Sequence, residues 1–410
     1  MNKKLADYAK LIVKTGVNLK RDQLLVINAP IECATFARYI ASAAYEVGAK
    51  DVIISWGDEE FTKLRFLKAP DAVFDEFPSW RKAMYIDYAK QGAAFVSIAA
   101  ANPELLQDVK PERVARAQKA SSLALKEYRE RLMGNQNQWC VVSVPTIGWA
   151  KKVYPNDSNE VAVEKLWQAI LETVRVDGKN DPVVAWQKHQ SNLEKYKNFM
   201  NEQQFSSLQY KNSLGTDLTI ELPKGHIWAS GADYTPDGRP FIANMPTEEV
   251  FTMPKRNGVN GKVVSAKPLN YNGNLIDKFT LIFQDGKVID YKAEIGQEIL
   301  GKLLEVDEGA AYLGEVALVP YNSPISNLNI LFYNTLFDEN AACHLALGKA
   351  YPTCIKDGDK MDKAAMLAAG VNDSLIHEDF MIGTDDLEII GITGTGETVP
   401  VFKNGNFVNK

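Results

Sequence analysis

The sequence predicts an α/β N-terminal domain with a mainly parallel sheet over residues 1–190, followed by a mixed α+β C-terminal domain over residues 191–410. Three observations lead there. A chain of 410 residues is longer than a single core usually grows, so two domains are expected. Short β-branched runs alternate with helical patterns through the first part, which implies βαβ units. Beyond Met200 the pattern becomes turn-rich alternation with a two-residue hairpin signal.

In the first domain "QLLVINAP", Gln23 to Pro30, reads as a buried strand. "ECATFARYIASAAYEVGA" reads as the helix behind it, stopped by Gly48 in the left-handed conformation. "DVIISW" from Asp51, "AAFVSIAA" from Ala93 and "QWCVVSVPT" from Gln138 repeat the strand type. Long helices separate them, among them "PERVARAQKASSLALKEYRERLM" from Pro111. Strands this apolar with helical connections belong to a parallel sheet covered on both faces. Two more helical segments, from Asn159 and from Val183, lead to the boundary. In the second domain "GTDLTIELP", "NGKVVSAKPL" and "FTLIFQDGKVIDYKAE" read as strands, and Asp285-Gly286 marks a short hairpin. One helix, "EIGQEILGKLLEV" from Glu294, precedes the strand in "YLGEVALVP".

Apolar residues at 46% and charged residues at 24% describe an ordinary soluble protein. A net charge of −6 and a pI near 5.5 argue against nucleic acid or an anionic membrane as the main partner, because both reward basic surface. The N-terminus lacks the apolar core and cleavage site of a secretory signal. No apolar run approaches the roughly 20 residues that span a bilayer. Cys33, Cys140, Cys343 and Cys354 lack CxxC spacing and fit reduced thiols. A cytoplasmic protein is expected.

The chain has only four histidines, and two lie in its last 70 or so residues among carboxylates. In "SLIHEDFMIG", Ser374 to Gly383, strand alternation puts His377 and Asp379 on one face and Glu378 on the other, with Ile376, Phe380 and Ile382. In "NTLFDENAACHLALGKAYP", Asn334 to Pro352, a helix would return Tyr351 to the face of His344 two turns on. Asp338 and Glu339 are then helix-start carboxylates. "AAYLGEVALVP" sets Glu315 in an apolar strand, and "FIANMPTEEVFTMP" sets Glu248 and Glu249 before another apolar run. Each residue alone has a packing or capping explanation. Together, two histidines, an aspartate and two glutamates in apolar settings exceed the four ligands of one closed zinc site, and suit two cations sharing a carboxylate and a water. Mixed nitrogen and oxygen donors point to Zn²⁺, Co²⁺ or Mn²⁺.

"NMPTEEVFTMP", "GEVALVP…SPIS", "FYNTLFDENAACHLALGKAYP" and "NDSLIHEDFMIG" also occur in the order of the motifs of the aminopeptidase T and aminopeptidase S family of dinuclear metallo-aminopeptidases. The chain resembles that family in these motifs, in length and in its two-domain layout. The resemblance implies two divalent metal ions per chain, held by Glu249, Glu315, His344, His377 and Asp379, with Glu315 bridging. It implies an active-site tyrosine at Tyr351 and a homodimer. The substrates it implies are peptides with a free N-terminus.

The expected chemistry is hydrolysis of the N-terminal peptide bond by a metal-bridging water, with Tyr351 donating to the oxyanion and Glu315 or Glu248 moving the proton. Two alternatives stand beside it. Another dinuclear amidohydrolase or a phosphoesterase shares the ligand types, although phosphoesters call for basic residues, and the four motifs offer only Lys349 and, at the edge of the first, Lys255. A non-enzymatic protein would hold a small ligand at the switch point of the first sheet. No GxGxxG follows its strands, and "GITGTGET" from Gly391 lacks the ending of a phosphate loop.

Overall fold

The structure, a computed structural model, describes residues 1–271 and 274–408. The chain divides into two compact units, residues 1–190 with 232–246, and residues 191–231 with 247–410. No helix among the described residues is long and apolar enough to cross a membrane.

The first unit is α/β. Its strands β1 (Leu24–Pro30), β2 (Asp51–Gly57), β3 (Ala94–Ile98) and β4 (Trp139–Val142) form one parallel sheet in the order β2-β1-β3-β4. Helices α1 (Asn2–Leu11), α2 (Ala34–Glu46), α3 (Glu59–Lys68) and α4 (Ser79–Lys90) lie between or before these strands. Gly48 has φ +89°, so the turn out of α2 uses the left-handed conformation that a side chain would strain. The single helix expected from Pro111 is two, α5 (Pro111–Ala124) and α6 (Lys126–Met133), broken at Leu125. The edge strand β4 is completed from a distant segment, where the Val141 N–H donates to the Ala243 carbonyl at 2.7 Å.

The second unit stacks two sheets on one core. A nine-stranded sheet contains the expected hairpin, Asn274–Gln284 with Lys287–Ile295, turned by Asp285 (φ +49°) and Gly286 (φ +85°). Positive φ at both turn positions is what a two-residue loop between twisted strands needs. The helix after it starts later than expected, at Gln297–Leu304, because the hairpin strand continues to Ile295.

The other sheet has five strands: β5 (Ala229–Ser230), β6 (Val250–Thr252), β7 (Leu313–Leu318), β8 (His344–Gly348) and β9 (His377–Met381). Their order is β9-β8-β7-β6-β5, all antiparallel. Val316, Leu318, Leu345, Leu347 and Phe380 join Leu208, Ile220, Leu281 and Phe402 of the larger sheet in a single buried cluster. One face of the five-stranded sheet is thereby consumed by packing.

The helix expected around His344 is instead β8. Its five residues are all buried and pair with β7 and β9 on both sides. A strand covered on both faces shows no alternation, and "HLALG" carries no other mark to separate it from a helix.

Candidate metal centre

Strand pleating sends His344, Ala346, His377, Asp379 and Glu315 to the face of the small sheet opposite its core. Register aligns them further: Glu315 pairs with Ala346, and Ala346 pairs with Asp379, so the two carboxylates stand in one row across β7, β8 and β9. The residue between them has only a methyl group, which leaves the space above it open. Glu315 reaches this face through a bulge. The register shifts between Leu313 and Glu315, so Leu313 stays in the core although it has the parity of Glu315. Gly314 makes the bulge possible, because a Cβ there would lie 2.3 Å from the Lys349 carbonyl oxygen.

Glu248 and Glu249 precede β6 in extended chain, and no helix follows Thr247. Both are buried. The Glu248 N–H donates to Asn340 Oδ1 at 2.8 Å, and Asn340 Nδ2 in turn donates to the Leu336 carbonyl and, at 3.4 Å, to Glu339 Oε1. Asn340 thus ties the Glu249 segment to the turn that precedes β8.

The five residues converge. His344 Nε2 lies 3.3 Å from Glu249 Oε2, 3.5 Å from Glu315 Oε1 and 4.0 Å from Asp379 Oδ1. His377 Nε2 lies 3.4 Å from Glu315 Oε2 and 3.6 Å from Asp379 Oδ1. Donor atoms of Glu249, Glu315 and His344 all lie within 4.8 Å of one another, and so do those of Glu315, His377 and Asp379. Glu315 belongs to both triads.

The imidazoles are oriented from behind. His344 Nδ1 is 3.2 Å from the Ala342 carbonyl and His377 Nδ1 is 2.7 Å from the Lys349 carbonyl. A proton held at Nδ1 by a carbonyl puts the lone pair of the neutral imidazole at Nε2, the arrangement of a metal-binding histidine. Asp379 Oδ1 is buried with no hydrogen-bond partner. Such an orphaned acceptor is costly unless a cation satisfies it. The residues present therefore fit a divalent metal of nitrogen and oxygen preference.

The electrostatics express the same crowding. Burial raises the Glu315 pKa, but hydrogen bonds from His344 and His377 outweigh it and hold the carboxylate down at about 2. Burial lowers His377, yet its contacts with Asp379 and Glu315 bring it up to about 11. His344 is raised in the same way by Glu249 and Glu315. Glu249 is pushed up by burial despite its bond with His344.

One participant is not visible from the sequence. Glu339, a plausible helix-start acid by its position, is driven well above the usual carboxylate range by burial and then by Asp379 and Glu249. It stands against the cluster because the chain turns into β8 immediately after it, through a short 3-10 segment at Glu339–Ala341. Tyr351 is off the strands; its ring centroid lies 4.9 Å from that of His377 and 6.2 Å from that of Phe251. Burial, and after it Glu315 and Asp379, raise its phenol pKa. Glu378 faces the core side opposite Leu347, as alternation requires, and burial pushes it up to about 7. Among the described residues Glu378 makes no ion pair with a lysine or arginine.

The model of the thermophilic metalloprotease (M29) family matches residues 1–407. The chain belongs to the M29 family. It is accordingly a metal-dependent hydrolase acting on peptides. Among its relatives, Aminopeptidase 2 of Geobacillus stearothermophilus is 51% identical over 405 residues, covering 99% of this chain and 98% of that protein. Aminopeptidase AmpS of Bacillus subtilis is 47% identical over 406 residues, with 99% and 98% covered. The solved structure of wild-type AmpT from Thermus thermophilus superposes with a TM-score of 0.94 at 36% identity, over 100% of both chains. The expected fold class, an α/β domain with a parallel sheet followed by a mixed domain, is the one the chain has.

Proposed function

We propose that the chain is an aminopeptidase that hydrolyses the N-terminal peptide bond of peptides at a site for two divalent cations. The observation that carries this is the placement of Glu315, whose two oxygens face different histidine Nε2 atoms at 3.5 and 3.4 Å. One carboxylate shared by two donor triads is the arrangement that two neighbouring cations require. Charge supports two cations over one. Glu249, Glu315, Glu339 and Asp379 bring four carboxylates together, and among the described residues no lysine or arginine pairs with any of them. Once His344 and His377 are neutral, as metal binding requires, no cationic side chain among the described residues offsets these acids, and two doubly charged ions would balance them when ionised.

Two divalent cations, which Glu249, Glu315, His344, His377 and Asp379 would hold, would supply what amide hydrolysis lacks near neutral pH, an acidified water and a Lewis acid for the scissile carbonyl. The chain supplies the rest. Tyr351, with its pKa raised by burial, stays protonated and donates a hydrogen bond where negative charge develops on the carbonyl oxygen. Glu339, whose carboxyl burial pushes well up, joins the expected carriers Glu315 and Glu248 as a group to pass a proton to the leaving amine, and of the three Glu315 is the least suited because its histidine partners hold it at about 2. The carboxylate-rich wall attracts the free α-ammonium of a peptide, which accounts for a preference for the N-terminal bond. A phosphoester is disfavoured because Lys255 is paired with Glu221 at 2.6 Å and the Lys349 side chain is exposed. A cytoplasmic homodimer using Zn²⁺, Co²⁺ or Mn²⁺ completes the proposal, on the strength of the family resemblance and the donor set.

The test is an assay of the metal-stripped protein on aminoacyl amides, with Zn²⁺, Co²⁺ and Mn²⁺ returned separately. Activity is expected only with metal and only on free amines. Equal rates on N-acetylated substrates would reject the aminopeptidase assignment. Tyr351→Phe is expected to keep its metal and lower kcat about 10²- to 10³-fold with KM little changed. An unchanged kcat would remove the phenol from the reaction.

A further inference from the structure

The first unit contains a cleft that the proposed reaction leaves unused. In the order β2-β1-β3-β4, the connection from β1 leads to one side of the sheet and the connection from β3 to the other. The crevice at the carboxyl ends of β1 and β3 is therefore a topological switch point, the place where open parallel sheets receive ligands. A cleft of about 320 Å³ lies there, lined by Asn28 and Ser97 at the ends of β1 and β3, Ser55 of β2, Arg81 and Tyr85 of α4, and Glu59 at the start of α3.

Its neutral groups satisfy one another. The Tyr85 hydroxyl donates to Asn28 Oδ1 at 2.9 Å, Asn28 Nδ2 donates to Ser97 Oγ at 3.3 Å, and Ser55 Oγ is 3.5 Å from the Tyr85 oxygen. The charged groups are left open. Among the described residues the Arg81 guanidinium makes no hydrogen bond or ion pair. Glu59 accepts one bond, from the Asn102 N–H to Oε1 at 3.0 Å, and meets no cation. A lone anion such as phosphate would gain Arg81 but face Glu59 and Asp58. A ligand carrying one charge of each sign meets complementary partners for both. The volume lies at the small end of ligand pockets, which suits a single residue over a longer peptide.

We propose that this cleft binds a free α-amino acid, its carboxylate on Arg81 and its α-ammonium on Glu59. The assignment stands on the first unit alone and is independent of the metal site. Since amino acids are also products of peptide hydrolysis, the experiment separates the two places. Equilibrium dialysis of the full-length, metal-stripped chain is run against each common L-amino acid, then against N-acetyl-L-leucine, L-leucinamide and inorganic phosphate. At least one amino acid is expected to bind once per chain. Arg81→Ala and Glu59→Gln are each expected to weaken it about tenfold or more, with turnover in the absence of added amino acid unchanged. The two analogues, each missing one charge, are expected to bind wild-type protein more weakly by a similar factor, which holds the test even if a variant folds poorly. Three results would overturn the assignment: no amino acid bound up to about 10 mM, binding lost in Glu315→Gln but kept in both cleft variants, or phosphate bound in preference and sensitive to Arg81→Ala alone.

Discussion

Glu315→Gln is expected to abolish turnover and metal loading while the chain keeps its fold. Glu315 is the member common to both donor triads, with one oxygen toward His344 and the other toward His377. An amide of the same shape keeps one acceptor and replaces the other with an NH₂ donor, which cannot share a cation. Even partners outside the ligand shell are worth about 10- to 100-fold in metal affinity, so loss of a shared ligand is expected to exceed ~100-fold. Packing is little disturbed. The variant relieves repulsion among four carboxylates and at the same time removes the partner of two histidines, so these effects oppose each other in the metal-free protein. The decisive measurement is the melting temperature with and without metal. A ligand at a hundredfold excess over its Kd adds about 2.7 kcal/mol to folding stability. Wild type is expected to show that gain with Zn²⁺, Co²⁺ or Mn²⁺, and the variant to show none with an unchanged circular dichroism spectrum. Full metal content together with normal activity would remove Glu315 from the site.

Much of this site was legible because it lies on strands with one packed face. In "SLIHEDFMIG" alternation alone separates His377 and Asp379 from Phe380, and the structure keeps that separation. The Asp285-Gly286 hairpin was legible for a similar reason, since two residues determine its geometry locally. His344 was legible as a residue but not as an element. Its strand is buried on both faces and rich in alanine and leucine, and only pairing with residues about 30 positions away on either side makes it extended. Glu339 was hidden by a sufficient local explanation as a helix-start acid, and its approach to Asp379 and Glu249 depends on non-local chain paths. The bulge at Gly314 is of the same kind. A glycine in a strand signals irregularity, but the face on which Glu315 emerges follows from the close approach of the Lys349 carbonyl. The closed polar floor beneath Arg81 could not be read at all, since it joins Asn28, Tyr85 and Ser97 from three separate elements.

Metal loading is expected to release protons, so affinity should climb steeply with pH. Burial lowers the His377 pKa, but Asp379 and Glu315 outweigh burial and bring it up to about 11. His344 is raised by Glu249 and Glu315 against the same burial. A metal-binding imidazole must be neutral at Nε2, so below these raised values each incoming cation has to displace a proton that the metal-free site holds. Glu315, held at about 2, is already ionised and contributes none. The metal-free histidines bind protons that the loaded ones do not, so lowering the pH favours the metal-free protein. Each displaced proton weakens binding about tenfold per pH unit. Between about pH 6 and 8, the log of the overall affinity for both ions is expected to rise by roughly two per unit, one for each histidine. Calorimetric titration with Zn²⁺ in buffers of different ionisation heat counts these protons directly. About two per chain are expected from the histidines in wild type, with any proton held by Glu249, which burial also raises, added to them. His377→Asn is expected to release about one fewer, and a count near zero in wild type would contradict the histidine pair as ligands. The consequence for activity is that, at limiting metal, the acidic limb of the pH profile reports loading and not chemistry. Raising the metal concentration tenfold should then move that limb about one unit to lower pH, because two protons leave as the two ions enter.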